Sequence, residues 1–307
     1  MKLTQSKAYL RGSFVPFKEA KLSIASSPVL YGLSVYTVIP VNWNEQEQQL
    51  YVFRMKDHYK RLVNSARIMD LHGFVESWTY EKFESVVLEL LKINKVQEDA
   101  LVRVTVFIDE IQSGTKIHGL KNSVSVYVYP AGEILPSSGA HLCVSSWVRN
   151  SDNSIPAKAK VNGSYINAAL MKNEAILNGY DDAISLDHNG HVAESTVANL
   201  FIVCGDKLVT PDTSTDILEG ITRDSLLSIA KEDNILVEER SIDRTELYKA
   251  NETFLCGTSV RVTPILSIDR RPIGDGKPGI ITKKLMKDLE AIQRGTDKRF
   301  PHWRNVA

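Results

Sequence analysis

The chain has 307 residues, with 37 basic and 37 acidic side chains that leave a formal net charge of zero. No basic block marks it for nucleic acid or an anionic membrane, and no run of about twenty apolar residues marks a bilayer span. Its length predicts two domains with ample core. Cys143, Cys204 and Cys256 lie in apolar strand-like runs. They read as buried free thiols of a reducing compartment, and no pair has metal-ligand spacing, so no metal is expected. Lys2–Lys7 do not read as a signal peptide, which makes a cytoplasmic location the default expectation.

In chain order, a strand-like Tyr9-Leu10-Arg11-Gly12 is followed by predicted strands over Leu30–Val41 and Leu50–Phe53. Residues 55–71 read as a helix with Leu62, Ala66 and Met69 along one side and Arg61 next to that stripe. A second helix over 79–94 and strands over Leu101–Ile108 and Val124–Tyr129 complete a smaller α+β domain, residues 1–128. The Pro/Gly/Ser-rich stretch 129–139 reads as a linker to a larger domain, residues 140–307. There, Ile166, Leu170, Asn173 and Leu177 share one face of a helix. Ala183–Leu186, a His188-Asn189-Gly190 turn, Val192 onward, Leu200–Val203 and Leu208–Thr210 read as a meander, Asn-Gly being a hairpin signal. Residues 222–234 read as a helix, with Gly220 allowing close approach before it, and Gly257-Thr258-Ser259 forms a small polar turn.

Lys160, in Lys160-Val161-Asn162-Gly163-Ser164-Tyr165, is the most informative residue. A buried, desolvated amine is a nucleophile toward carbonyl compounds and forms a Schiff base with them. The ordinary reading of such a lysine is a solvated surface charge, and Lys158 competes two positions away. Downstream stand a carboxylate in Glu194-Ser195-Thr196-Val197-Ala198-Asn199-Leu200-Phe201, a helix start in Gly220-Ile221-Thr222-Arg223-Asp224, and the Gly257 turn. Singly, Glu194 reads equally as the cap of a hairpin, Thr222 as an N-cap, and the turn as a plain connection. As an ordered set, an amine, a carboxylate and an anion-binding helix N-terminus are what pyridoxal phosphate requires.

The same residues carry a family resemblance. Lys-x-x-Gly-x-Tyr at 160–165, Glu-x-x-x-x-Asn-Leu-Phe at 194–201, Leu-x-Gly-Ile-Thr-Arg at 218–223 and Gly-Thr at 257–258 resemble class IV aminotransferases that use pyridoxal phosphate. Within that family, the branched-chain amino acid aminotransferases match best. Asp57-x-x-x-Arg61-Leu62-x-x-Ser65-Ala66, Leu101-Val102-Arg103 and Val144-Ser145-Ser146-Trp147 extend the likeness over nearly the whole chain. It implies the two-domain fold type IV architecture, a smaller N-terminal α/β sandwich and a larger C-terminal pseudo-barrel. It also implies an obligate homodimer, with the loop around Ile111–Gly119 close to the partner's site.

Carried over by position, the resemblance makes Lys160 the residue holding pyridoxal 5′-phosphate as a Schiff base and then shuttling the proton of the substrate α-carbon. Tyr165 would donate to the phenolic oxygen, and Glu194 would pair with the pyridine nitrogen. The phosphate would take the backbone N–H groups of Ile221 and Thr222, the hydroxyls of Thr222 and Thr258, and Arg61, while Leu218 packs on the ring. For the substrate, Arg103 would meet the side-chain carboxylate of glutamate, with Tyr36 lining the site and Thr258–Ser259 binding the α-carboxylate.

The implied reaction is transamination between a branched-chain L-amino acid and 2-oxoglutarate. Branched-chain enzymes usually carry Phe-Glu-Gly-x-Arg where this chain has Tyr36-Thr37-Val38-Ile39-Pro40, and an aromatic where it has Leu101. Tyr36-x-Val38 is nearer to D-amino-acid and (R)-amine transaminases. Those activities and 4-amino-4-deoxychorismate lyase stay open as alternatives on the same cofactor. Without the motif, Arg103 reads as a strand residue paired to a surface acid.

Overall fold

The computed structural model describes residues 3–307, which cluster into two compact units; Lys2 of the N-terminal stretch lies outside the described residues. The first unit comprises the described residues up to Ala131, with Ala159–Gly163 and Ile292–Ala307; the second comprises Gly132–Lys158 and Ser164–Ala291.

In the first unit, β1 (Lys7–Leu10), β2 (Ser13–Pro16), α1 (Ser27–Tyr31), β3 (Ser34–Asn44), β4 (Gln49–Phe53), α2 (Met55–Ile68), α3 (His72–Ser77), α4 (Tyr80–Ile93), β5 (Ala100–Ile108) and β6 (Asn122–Pro130) follow in order. Residues 27–31 are helical rather than the start of β3. Ser26 stands at an N-cap with Pro28 in the first turn, and left-handed Gly32 ends the helix. A Cβ on Gly32 would lie 2.7 Å from Gly163 Cα, so glycine alone fits there.

In the seven-stranded antiparallel sheet β3 lies third, between β4 and the central β5, and is buried along its whole length. Alternation gives its two faces different duties. Val35, Ile39, Val41 and Trp43, with Val102, Val104 and Val106 of β5, join Leu62, Ala66, Phe83 and Leu90 of the helices in one core. Tyr36 and Val38, with Leu101 and Arg103, are left for the opposite face.

The second unit contains β7 (Ala140–Val144), α5 (Tyr165–Leu177), β8 (Asp182–Leu186), β9 (Val192–Ser195), β10 (Asn199–Cys204), β11 (Lys207–Thr210), α6 (Ile221–Glu232), β12 (Leu236–Glu239), β13 (Glu252–Gly257), β14 (Arg261–Ile268), β15 (Arg271–Pro272) and most of α7 (Ile280–Arg294). Its nine-stranded mixed sheet runs β12-β11-β10-β13-β14-β7-β8-β9, with β15 beside β14. The end strand β9 passes straight into β10 through a Ser195–Ala198 turn, closed by an N–H to carbonyl bond of 2.8 Å, so the sheet curls back on itself. The chain then returns to the first unit, where β16 (Arg304–Val306) pairs with β4.

Two sequence expectations are corrected here. Helix α5 buries Ala168, Met171 and Ala175, and its larger apolar row points outward: Ile166, Leu170 and Leu177 are 70%, 39% and 77% exposed. The inner face, packed on β8, is carried by two alanines and a fully buried methionine. Cys204, at the end of β10, is half-buried, while Cys143 and Cys256 are buried; all three are free thiols. Burial pushes the Cys143 thiol up to about 11.

Candidate active site

Two groups of the expected residues assemble, one on each unit. On the first unit, β3 pairs with β5 from Ser34 to Val41, whereas β4 covers its other edge only from Val41 to Asn44. That leaves the early part of one edge open, and the segment 159–163 fills it. Val161 bridges Val35, and the Tyr36 N–H donates to the Lys160 carbonyl at 3.0 Å. On its other side the Lys160 N–H donates to Ser65 Oγ of α2 at 3.1 Å. The lysine backbone is therefore fixed from both directions, and its Nζ stands 5.0 Å from the centre of the Tyr36 ring.

Arg103 faces the same ring. In the β3–β5 register it lies opposite Val38, diagonal to Tyr36, and its guanidinium stacks 3.7 Å from the ring centre. It donates to Asn162 Oδ1 at 2.6 Å, and Asn162 in turn donates to Ser34 Oγ at 2.6 Å. The ordinary reading, a partner acid at the surface, does not describe it. Arg61 points from α2 to β3 and donates to Thr37 Oγ1 at 3.2 Å. With that oxygen accepting, the Thr37 hydroxyl is directed at His58 Nδ1, 2.8 Å away. Burial, then the positive charges of Arg61, Arg54 and Lys160, hold the His58 imidazole well below its ordinary range, so it stays neutral and accepts the bond.

On the second unit the centre is Glu194, on β9 and buried. Its Oε1 pairs with Arg149 Nη2 at 2.5 Å, and its Oε2 accepts from Asn199 Nδ2 at 2.9 Å and more weakly from the Leu218 N–H at 3.4 Å. Asn199 Nδ2 also donates to the Leu218 carbonyl at 2.9 Å. Asn199 thereby ties the β9–β10 turn to the chain entering α6. Thr222 is the second residue of α6, not its cap; the N-cap is Gly220, which provides no side-chain bond. A side chain there is excluded, because a Cβ on Gly220 would meet Asn199 Oδ1 at 2.0 Å. The first-turn N–H groups of Ile221 and Thr222 have no carbonyl one turn back, so the helix start is open to an anion. Gly257 completes the group. Its neighbour Cys256 pairs opposite Asn199, and Gly257 itself lies close against Ala198 and Val197, setting Thr258 and Ser259 in the turn beside them.

Glu194, Leu218, Ile221, Thr222, Thr258 and Ser259 thus gather around one β-turn. Tyr165 is positioned separately, as the first residue of α5 packed with Cys143, Ala168 and Met171. Lys158 is excluded from such a role by its own contacts, a hydrogen bond to the Thr213 carbonyl and Glu219 at 3.7 Å.

The amino-transferase class IV family model matches residues 34–268, more than half of the chain and including the site residues from Ser34 to Ser259. The chain belongs to the class IV aminotransferases. This aminotransferase is 40% identical over 299 residues to a probable branched-chain-amino-acid aminotransferase of Aquifex aeolicus, covering 96% of this chain and 95% of the relative. A crystal structure of the branched-chain aminotransferase of Thermoproteus uzoniensis with norvaline is 36% identical with a TM-score of 0.93, covering 98% of this chain and 99% of that one. A T.th. branched-chain amino acid aminotransferase, complexed with N-(5′-phosphopyridoxyl)-L-glutamate, is 34% identical with a TM-score of 0.89, covering 99% of each chain. The enzyme is a pyridoxal-phosphate-dependent transferase with the fold type IV architecture, its large sheet curled as described.

Arg149, Thr37, His58 and Asn162 have no place in the sequence reading of the site. Asn162 sits inside the lysine motif, but only the strand register brings it to Arg103. One further cluster lies elsewhere on the first unit: Asp70, His72 and His118 offer ligand-type atoms within 4.8 Å of one another. Each imidazole pairs with a different Asp70 oxygen, at 2.5 and 2.7 Å, which fastens the β5–β6 loop to the start of α3.

Proposed function

We propose that this aminotransferase moves the amino group of a branched-chain L-amino acid to 2-oxoglutarate with pyridoxal 5′-phosphate. The observation that carries the reading is Lys160: an amine on a backbone clamped to β3 and α2, over the Tyr36 ring that Arg103 also contacts. The donor set fits the cofactor. Glycine-capped α6 leaves N–H groups open for a phosphate, and Glu194 presents a buried carboxylate that suits a pyridinium. When bound, the cofactor supplies an aldehyde for the amino group and a ring that withdraws electrons from the α-carbon.

The residues then divide the work. The Ile221 and Thr222 N–H groups and the Thr222 and Thr258 hydroxyls would bind the phosphate, with Arg61 as the cation offered by the first unit; Leu218 would pack on the ring, and Tyr165 would donate to its phenolic oxygen. Glu194 would face the ring nitrogen with its carboxylate, and the Lys160 amine would be the base for the α-proton. Tyr36, Arg103, Thr258 and Ser259 orient the substrate. The names of the relatives support the branched-chain donor, and the phosphopyridoxyl-glutamate complex of one of them supports glutamate as its counterpart.

The test is spectroscopic. Enzyme loaded with pyridoxal phosphate is mixed with L-leucine, D-alanine or (R)-phenylethylamine, each with and without 2-oxoglutarate. Conversion of the cofactor by L-leucine, reversed by 2-oxoglutarate, is expected. Tyr36-x-Val38 favours a D-amino-acid or (R)-amine reaction as the second reading, and conversion only by D-alanine or the amine would establish it. Arg103→Leu is expected to weaken glutamate and 2-oxoglutarate by about 30- to 800-fold in kcat/KM, the equivalent of roughly 2–4 kcal/mol for a lost charged hydrogen-bond pair. Leucine, with no distal carboxylate, should change far less. Equal losses for both donors would reduce Arg103 to holding Asn162 and Tyr36.

The outward apolar row of α5 supports a homodimer, since Ile166, Leu170 and Leu177 recur on one face at helical spacing. Sedimentation equilibrium giving a monomer at micromolar protein would refute that assembly. Among the described residues, no helix is long and apolar enough to cross a membrane.

A further inference from the structure

Glu194 is not a lone carboxylate awaiting a cation. It already has one. Arg149 Nη2 lies 2.5 Å from its Oε1, and the two side chains are only 11% and 8% exposed. The guanidinium is itself held, its Nε donating to the Asp216 carbonyl at 3.1 Å, and the backbone of the residue is fixed by the Arg149 N–H donating to the Leu186 carbonyl at 2.8 Å. Asp216 is held in turn, accepting from the Asp152 N–H at 3.0 Å and lying 3.7 Å from His188. Leu186 pairs with Val192, two residues before Glu194. A planar cation is therefore set against the carboxylate, held by one main-chain carbonyl on a residue whose own backbone is tied to β8.

We propose that Arg149 is a positioning residue that decides where the shared proton sits when Glu194 faces the ring nitrogen of pyridoxal phosphate. A carboxyl group taken out of water favours its neutral form, and would then draw the proton from a pyridinium beside it. A guanidinium keeps its charge at any pH at which an enzyme works. Paired at Oε1, it stabilises the carboxylate form of Glu194, while the donors at Oε2 fix the plane of the group. The proton then stays on the ring nitrogen, the state in which the ring accepts electrons. No covalent bond changes; only the position of one proton does.

This inference rests on the reading of Glu194 given above, and its test separates the two. The enzyme is loaded with pyridoxal phosphate labelled with 15N in the ring, and the nitrogen resonance reports protonation at pH 7. Three variants are compared with wild type: Glu194→Gln, Arg149→Gln (a donor without charge) and Arg149→Lys (charge without the fork). Wild type is expected to show the protonated ring. Glu194→Gln and Arg149→Gln should both shift toward the unprotonated resonance, and Arg149→Lys should restore the protonated one. In Arg149→Gln, kcat should fall about ten- to a hundredfold, the range typical for loss of an outer partner of a functional ligand, with little change in KM.

An unshifted resonance in Glu194→Gln would remove Glu194 from the ring nitrogen and overturn the underlying reading. A shift in Glu194→Gln without one in Arg149→Gln would overturn the role of Arg149 alone. Thermal melts establish that each variant is folded. If Arg149→Gln does not fold, Arg149→Lys decides, because an unprotonated ring beside a retained positive charge contradicts the proposal.

Discussion

Lys160→Ala is expected to abolish the covalent aldimine that wild type forms with pyridoxal phosphate, so that borohydride reduction no longer fixes the cofactor to the chain, while Lys158→Ala keeps it. The difference follows from position. Lys158 is engaged by the Thr213 carbonyl and Glu219, whereas Lys160 is set by the β3 edge with its amine over Tyr36. The rate of transamination in Lys160→Ala should fall by more than the roughly 10²–10⁴-fold of a general acid–base group alone, because the proposed role of this amine includes the covalent link as well. The cofactor should still bind, held by the α6 N-terminus and Arg61, which equilibrium dialysis against labelled pyridoxal phosphate measures. A Lys160→Ala protein in which borohydride still fixes the cofactor covalently to the chain would sink the assignment of the lysine, and a wild type that takes up no cofactor would sink its use.

The elements were legible where local chemistry dominates. The Thr79 hydroxyl accepting the Lys82 N–H at 3.3 Å starts α4, and the Asn189-Gly190 turn joins β8 to β9. The outward face of α5 was not legible in the same way. Its largest apolar residues stand at helical spacing, but the side packed on β8 carries Ala168, Met171 and Ala175. Hydrophobic periodicity identifies a stripe without saying what covers it, and here the stripe and the core side differ.

The site shows a parallel contrast. Lys160, Glu194 and the 218–223 and 257–259 segments are visible because short backbone motifs position them, and a motif is a local object. Their supports are not local. Asn162 reaches Arg103 across 59 positions, and His58 meets Thr37 across 21, through strand register and helix packing. Arg149 stands 45 positions from Glu194, in a stretch to which the sequence analysis assigns no element. An arginine in such a stretch is ordinarily solvated, and only burial beside a carboxylate distinguishes this one.

Glu194→Gln is expected to slow the step that removes the α-proton by about 10²–10³-fold, the usual cost of removing one preorganised electrostatic contact. Glutamine has nearly the same shape, but it offers one acceptor oxygen where glutamate uses two. Arg149 occupies Oε1, and Asn199 with the Leu218 N–H occupies Oε2. Whichever way the amide turns, its NH₂ group faces a donor, and a mismatched buried polar pair costs about 1–3 kcal/mol. A lower melting temperature should therefore accompany the slower chemistry, and the two effects must be read apart. Cofactor affinity separates them, since the phosphate contacts proposed for Thr222, Thr258 and Arg61 would be untouched and binding should remain close to wild type. Single-turnover mixing of the loaded variant with L-leucine then reports the chemical step alone. Near-normal single-turnover rates in a folded, loaded Glu194→Gln enzyme would show that the ring nitrogen meets some other group, and that the Arg149–Glu194 pair serves only to hold the β9–β10 turn against the entry to α6.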